Sequence, residues 1–117
     1  MEVCSKIATL TDTRNRLELP IETLNHIVFP QGQHYVDLLV TDSSGQPWTF
    51  SCCKRREGYP KPCLRTGWLV FVRSKDVRIG DRIILRRLDG GEFKIEVKRR
   101  TNFMLFGENV WVDVVVA

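Results

Sequence analysis

The sequence lacks any long hydrophobic run. Its first 20 residues carry six charged side chains with no apolar stretch between them, so they predict neither a secretory signal nor a membrane anchor. We therefore expect an intracellular protein whose four cysteines stay reduced. There is no C-x-x-C pair, and neither histidine lies within four residues of a cysteine, so no metal and no cofactor are expected.

The sequence also lacks the common signatures of catalysis. Paired carboxylates, a Cys-His couple and a glycine-rich phosphate loop are all missing, and we do not expect an enzyme. What is present is ordinary for a globular protein: 117 residues, 43% hydrophobic and 27% charged. This length and composition predict one folded domain rather than a disordered or fibrous chain.

Positive charge is concentrated in one segment. The formal net charge is +4, but residues 1–50 carry −3, residues 51–65 carry +4 and residues 66–117 carry +3. Within the basic segment, Gly58, Pro60 and Pro62 surround Tyr59 and predict a loop. A basic loop with an aromatic residue is typical of an anion-binding arm, although many basic loops are only solvated surface.

Turn residues recur every ten to fifteen positions and predict a series of short strands. Strands are expected at 16–19, 35–41, 82–88 and 92–98. A further strand should return after a turn at 42–45, with Trp48, Phe50 and Cys52 facing inward. The apolar segment 101–117 needs a partner, either as a last strand of the same sheet or, less favoured, at the edge of a second chain.

Two short helices are predicted between these strands. Pro20 can open the first, whose buried face would be Ile21, Leu24, Ile27 and Val28. Thr66 is the expected N-cap of the second, whose buried face would be Trp68, Phe71 and Val72.

Four sequence blocks occur in the order and spacing of a known family. They are Leu17-x-Leu19-Pro20, Trp48-x-Phe50, the run from Leu64 to Val72, and Ile79-Gly80-Asp81. Over residues 6–98 the chain therefore resembles the plant B3 DNA-binding domain, and looks most like its divergent reproductive-meristem branch. The resemblance implies a mainly β fold, a seven-stranded open β-pseudobarrel with two short α-helices. It would form a single domain over 1–117, with a core at about 6–100 and the apolar tail at 101–117.

The resemblance also implies double-stranded DNA as the partner and a nuclear role in transcription regulation. In that family, two loops contact the major groove of DNA. The first, the N-arm at 6–16, offers Lys6, Thr9, Thr11, Asp12, Arg14, Asn15 and Arg16. The second, the C-arm at 51–61, offers Ser51, Lys54, Arg55, Arg56, Tyr59 and Lys61.

Side-chain chemistry suggests a role for each of these groups. Arginine forks match guanine and asparagine matches adenine, while lysine and hydroxyl groups position the DNA backbone. The predicted base readers are Arg14, Asn15, Arg16, Arg55 and Arg56. The predicted phosphate contacts are Lys54 and Lys61, and Tyr59 either stacks on the nucleic acid or pins the loop.

Two departures from the family pattern leave an alternative function open. The C-arm lacks the Trp-Asn-Ser stretch of seed-maturation members, and the N-arm is shorter than theirs. The alternative is a protein-interaction or dimerisation module on the same barrel, with weak and non-specific DNA binding, in which the tail at 101–117 contacts a second copy or another protein. The DNA-binding hypothesis requires both arms to flank one concave surface.

Overall fold

The computed structural model describes residues 1–114; residues 115–117, the end of the predicted tail, lie outside the described residues. Over residues 1–114 it contains eight strands, two α-helices and a 3₁₀-helix. The first half comprises β1 (Glu2–Ile7), α1 (Leu10–Arg14), β2 (Leu17–Glu18), the 3₁₀-helix (Ile21–His26), β3 (Tyr35–Thr41) and β4 (Pro47–Cys53). The second half comprises β5 (Cys63–Leu64), α2 (Trp68–Lys75), β6 (Arg82–Arg87), β7 (Phe93–Leu105) and β8 (Glu108–Asp113).

The strands form one curled sheet. Seven of them lie in the order β1-β6-β7-β3-β4-β5-β2, and β8 pairs with β7 outside this path. All neighbours are antiparallel except β3 and β7, which are parallel through a short contact at Val40 and Thr41. The strands β1 and β2 end the path and are not paired with each other, so the sheet is an open pseudobarrel, as the family resemblance implies.

The interior of the barrel is filled by aromatic side chains from β4 and α2. Phe50 and Trp68 are fully buried, and their ring centroids lie 5.7 Å apart in an edge-to-face arrangement. Phe71, one turn further along α2, lies 5.5 Å from Phe50 and 5.4 Å from Trp68. Trp48 is half-buried at the rim and meets Phe71 edge-on at 5.1 Å. Aromatic pairs of this kind stabilise a core by more than the burial of their apolar surface alone provides, and here they hold α2 inside the sheet.

The helix predicted after Pro20 is a 3₁₀-helix, and of its expected buried face Ile21 and Leu24 are only half-buried. Pro20 is its N-cap, and Thr23 is its fully buried residue. Ile27 is buried just beyond its end, whereas Val28 is 83% exposed. A 3₁₀-helix has three residues per turn rather than 3.6, so the α-helical face does not form. No helix over residues 1–114 is long and apolar enough to cross a membrane.

The second predicted helix is present, but Thr66 is not its N-cap. Gly67 occupies that position with a φ of +88° and makes no side-chain cap. Its Cα lies against the main-chain oxygen of Thr49, and a Cβ there would overlap that oxygen. The helix therefore begins where the chain passes closest to β4, and only glycine combines this close approach with a positive φ.

The N-terminal segment is more ordered than a loop spanning 6–16 would be. Lys6 lies on β1, opposite Ile83 of β6. Residues 10–14 form α1, which begins with a capping box: Thr9 Oγ1 accepts a hydrogen bond from the Asp12 main-chain N–H, and the Asp12 carboxylate accepts one from the Thr9 N–H. This box was not recognised from the sequence, although threonine followed three residues later by an acidic residue is its usual signal.

Residues 101–113 of the apolar tail belong to a long β-hairpin. β7 continues to Leu105, and β8 returns along it, pairing Lys98 with Asp113 and Leu105 with Glu108. Phe106 and Gly107 form the turn with positive φ angles of 51° and 81°, as in the two-residue turns that suit strand twist. At the tip, Phe103 is 65% exposed and Phe106 is 98% exposed. Residues 101–113 therefore extend the sheet while leaving apolar side chains in solvent.

Candidate nucleic-acid interface

The ends of the two arms meet on three adjacent strands. β5 lies between β2 and β4, so Glu18, Cys63 and Cys53 are successive cross-strand partners. The neighbouring row of Leu17, Leu64 and Cys52 is fully buried in the core. Because side chains alternate along a strand, the row of Glu18, Cys63 and Cys53 lies on the opposite face of the sheet. Residues flanking both arms are thereby brought to one outer surface.

A shallow cleft of about 130 Å³ opens on this surface. It combines residues from the end of the N-arm, from the C-arm and from β5. Its lining consists of Arg16, Glu18, Cys53, Lys54, Arg55, Lys61, Pro62, Cys63 and Arg65. Five cationic side chains face one carboxylate, a net charge of +4, and a concave surface lined by one sign of charge concentrates the field that attracts an anion.

Glu18 is the single acidic residue among those that line the cleft. Its carboxylate accepts hydrogen bonds from Arg16 Nη2 at 3.1 Å and from Lys61 Nζ at 3.4 Å. The hydrogen bond from Lys61, followed by the charges of Lys61 and Arg16, holds the pKa of Glu18 below its usual range. One carboxylate thus links a cation of the N-arm to a cation of the C-arm.

Lys6 and Thr9, both predicted to contact DNA, are occupied in holding the barrel together. Lys6 Nζ donates to Asp12 Oδ1 at 3.0 Å and to the main-chain oxygen of Glu18 at 2.8 Å. Thr9 caps α1 through its side chain. Asp12 is fully buried, and its Oδ1 also accepts from the Glu18 N–H at 3.2 Å. Lys6 thus bridges β1 to β2, and Thr9 stabilises the first turn of α1 between them.

The remaining N-arm residues lie on α1 and in the segment that leads from it to Arg16, which lines the cleft. Arg14 and Asn15 are exposed, and Thr11 is half-buried. The Asn15 N–H donates to the Thr11 carbonyl and closes the helix. The indole N–H of Trp68 donates to the Asp12 carbonyl at 2.7 Å, which ties α1 to the core. The core therefore fixes the position of the segment that carries Arg14, Asn15 and Arg16.

The C-arm is an exposed loop that carries cationic side chains, and its first residue, Lys54, is held by contacts with the barrel. The Lys54 N–H donates to the His34 carbonyl, and Lys54 Nζ lies 4.6 Å from the ring centroid of Phe29. Arg55 and Arg56 are exposed and form no ion pair within residues 1–114. Tyr59 is 60% exposed, and its carbonyl accepts from the Lys61 N–H. The loop leaves two guanidinium groups open to a ligand.

Two further residues complete the outer face. Ser51 is half-buried, and its Oγ lies 3.7 Å from Cys53 Sγ. Arg65 lines the cleft but was not among the residues predicted from the sequence. The available signal was strand alternation: Leu64 faces the core, so Arg65 next to it faces outward beside the basic loop. Within residues 1–114, no group of three or more His, Cys, Asp or Glu side chains could hold a metal ion.

Comparison with known proteins identifies the family. Residues 6–102 match the B3 DNA binding domain. The chain belongs to this family. Its sequence is 33% identical over 100 residues to auxin response factor 22 of Arabidopsis thaliana, an alignment that covers 81% of this chain and 16% of that protein. It is 35% identical over 79 residues to auxin response factor 7 of Oryza sativa subsp. japonica, covering 67% of this chain and 11% of that protein. This B3 domain thus spans less than a fifth of these relatives.

Two solved structures share the fold. The Arabidopsis FUS3–DNA complex contains a chain that superposes with a TM-score of 0.71 at 18% identity, covering 83% of this chain and 96% of that one. The Arabidopsis thaliana transcription factor LEC2–DNA complex superposes with a TM-score of 0.71 at 15% identity, covering 83% and 92% of the respective chains. The predicted B3 pseudobarrel is therefore confirmed at the level of the fold.

Proposed function

We propose that this B3 domain binds double-stranded DNA with the outer face of β2, β5 and β4, as the DNA-reading part of a non-enzymatic plant transcription regulator that acts in the nucleus. The observation that carries the proposal is that Arg16 of the N-arm and Arg55 of the C-arm line one cleft. Two structural neighbours of the same fold are recorded in complex with DNA, and this supports the choice of partner.

The roles of the individual residues follow from their chemistry. Five side chains have the donor groups needed to read base edges in a major groove. They are Arg14, Asn15 and Arg16 of the N-arm, and Arg55 and Arg56 of the C-arm. Lys54, Lys61 and Arg65 surround the cleft and supply charge for phosphates. Ser51 and Thr11 offer further hydroxyl groups, and Tyr59 is exposed enough to stack on a sugar or base. Lys6 and Thr9 support this surface rather than contact DNA.

A salt titration of DNA binding tests the proposal. Fluorescence anisotropy of a labelled duplex is measured from low to physiological salt for the full chain. We expect the logarithm of the affinity to fall linearly with the logarithm of the salt concentration. Each phosphate contact that a substitution removes should reduce the magnitude of this slope by about 0.9. Lys61→Ala with Arg65→Ala, which removes two of the phosphate-contacting cations of the cleft, should flatten the slope by up to about 2 and weaken binding.

The matched control is Arg73→Ala, because Arg73 is also exposed but lies on α2 outside the cleft. It should leave both the affinity and the slope unchanged. No binding at low salt, or an equal effect of the control and the cleft variants, would overturn the proposal. Selection of bound duplexes from a random pool then separates base reading, which enriches a motif, from contacts to the backbone alone.

A further inference from the structure

Two cysteines bracket the C-arm and face each other at its base. Cys53 is the last residue of β4 and Cys63 is the first residue of β5, and they are directly paired across the antiparallel ladder. Both are free thiols, and both line the basic cleft. The segment between them, residues 54–62, contains the exposed part of the C-arm, residues 55–59 and Lys61. The pair therefore lies where the arm leaves the barrel and where the proposed ligand would lie.

The pairing geometry suits a disulfide. Directly opposed residues in an antiparallel ladder have Cα atoms about 4.5 to 5.5 Å apart, depending on the type of pair. Disulfides join residues whose Cα atoms are about 4.4 to 6.8 Å apart. Opposed residues also project their side chains to the same face of the sheet, so both thiols are on the outer side. The observed register of β4 and β5 therefore places the two residues in the range of Cα separations that a disulfide spans.

The surroundings make this pair selective among the four cysteines. Cys53 is half-buried and thus reachable from solvent, whereas Cys4, Cys52 and Cys63 are buried; of these three, Cys4 and Cys52 belong to the core, and Cys63 lies beside Cys53 on the cleft. Burial, with smaller contributions from the charges of Cys53 and Cys63, raises the pKa of the Cys52 thiol to about 12, which suppresses its reactive thiolate. At the outer face, Arg65 Nε donates to Cys63 Sγ at 3.4 Å.

We propose that Cys53 and Cys63 are a thiol-oxidation site, at which a peroxide converts the pair to a disulfide that staples the base of the C-arm. The Cys53 thiolate attacks one peroxide oxygen, the O–O bond breaks, and after protonation one water leaves and a sulfenic acid remains. The Cys63 thiol then attacks the Cys53 sulfur; the S–S bond forms, the S–O bond breaks, and a second water leaves. The two thiols lose two electrons in all, and the peroxide gains them.

The consequence for the cleft rests on the proposed DNA-binding function. A duplex seated on the cleft would cover Cys53 and slow its oxidation. Once formed, the disulfide removes Cys63 Sγ as the acceptor of Arg65 and fixes the two ends of the arm to each other. Oxidation and DNA binding would therefore act on the same surface, whereas the disulfide itself depends only on the pairing of β4 with β5.

The test treats the full chain with a slight excess of hydrogen peroxide, blocks the remaining thiols and maps the products by mass spectrometry after trypsin. We expect loss of the mass of two hydrogen atoms, reversal by reductant, and a cross-link between the peptide that ends at Lys54 and the peptide that contains Cys63. Because the first peptide also contains Cys52, variants assign the bond: Cys52→Ser should keep the link, whereas Cys53→Ser and Cys63→Ser should each abolish it.

Loss of the link in Cys52→Ser, or oxidation of Cys53 without any link, would overturn the assignment. The regulatory consequence is tested separately, by repeating the oxidation with saturating duplex whose binding is verified by anisotropy. Disulfide formation should slow several-fold under these conditions. An unchanged rate on verified bound DNA would overturn the regulatory part, while a failure of DNA binding itself would appear in the anisotropy and leave the disulfide assignment standing.

Discussion

Lys6 on β1 donates a hydrogen bond from Nζ to the main-chain oxygen of Glu18 on β2, at 2.8 Å. These strands are the two ends of the open sheet, so a side chain bridges the gap that no ladder closes. The bridge continues through Asp12, whose buried carboxylate accepts from Lys6 Nζ and from the Glu18 N–H. The N-arm is thereby held against β2, and Arg16 is held at the rim of the cleft.

Removing the Asp12 carboxylate should be strongly destabilising. Asp12→Ala leaves the Lys6 ammonium and two main-chain N–H groups without their acceptor in a half-buried setting. Breaking a buried ion pair from one side costs about 3 kcal/mol or more. Urea unfolding followed by circular dichroism measures the loss. The control is Asp89→Ala in an exposed loop, which should change the free energy of unfolding by less than about 0.5 kcal/mol. Equal stabilities would contradict the bridge.

Removing the Glu18 charge should strengthen DNA binding. Glu18→Gln leaves five cationic side chains in the cleft without the carboxylate that now engages Arg16 and Lys61. We expect tighter binding at low salt and a salt slope steeper by up to about 0.9 per additional phosphate contact, measured by anisotropy. Weaker binding by this variant would mean instead that Glu18 is needed to orient the two cations.

Alanine at Gly67 should cost more stability than alanine at Gly80. Both glycines have a positive φ, +88° and +94°, so both substitutions force a side chain into the left-handed region at about 1 to 2 kcal/mol. At Gly80 the added Cβ meets open space, whereas at Gly67 it overlaps the Thr49 carbonyl oxygen. Overpacking adds about 2 kcal/mol at Gly67. Urea midpoints of the two variants compare them directly, and equal losses would refute the close approach.

Asp42 should make stability depend on acidity. Burial opposes its ionisation, but hydrogen bonds from Lys75, Ser44, Trp48 and the Gln46 N–H outweigh burial and hold its pKa well below the ordinary 3.8. A lowered pKa in the folded state contributes stability that is present above the unfolded value and is lost as the pH falls toward the folded value.

The Asp42→Asn variant isolates this contribution. At neutral pH we expect it to be less stable than the native chain by about 2 kcal/mol, the worth of hydrogen bonds to a charged group. The difference should be constant above about pH 5 and shrink below about pH 4, as the native carboxylate loses its advantage. Unfolding curves at a series of pH values measure it; a difference that does not narrow in acid would contradict the assignment.

The exposed hairpin tip allows a test of the alternative function. If the tail contacts a second copy, the full chain should sediment as a dimer, and Phe103→Ser with Phe106→Ser should sediment as a monomer. Because both side chains are mostly exposed, these substitutions should change the free energy of unfolding by less than about 0.5 kcal/mol. A monomer in both cases removes the dimerisation hypothesis.

The fold was largely predictable because its signals are local. The turn at 42–45 and the alternation that places Phe50 and Cys52 inward both depend on residues close in sequence. Both features are present in the structure. The helix after Pro20 was predicted less well. Thr23 is buried and the apolar Val28 is exposed, because the choice between an α-helix and a 3₁₀-helix depends on what the segment packs against.

Local sequence patterns were enough to predict the series of short strands, the buried aromatic residues, the concentration of positive charge near the C-arm and the resemblance to the B3 family. Which basic residues line the cleft follows only from the packing of the strands. Lys6 is equal to Arg16 in charge, yet one is turned inward to Asp12 and the other lines the cleft. The physical reason is that Cys53, Cys63 and Glu18 become neighbours through pairing of strands distant in the chain, and no local pattern encodes that register.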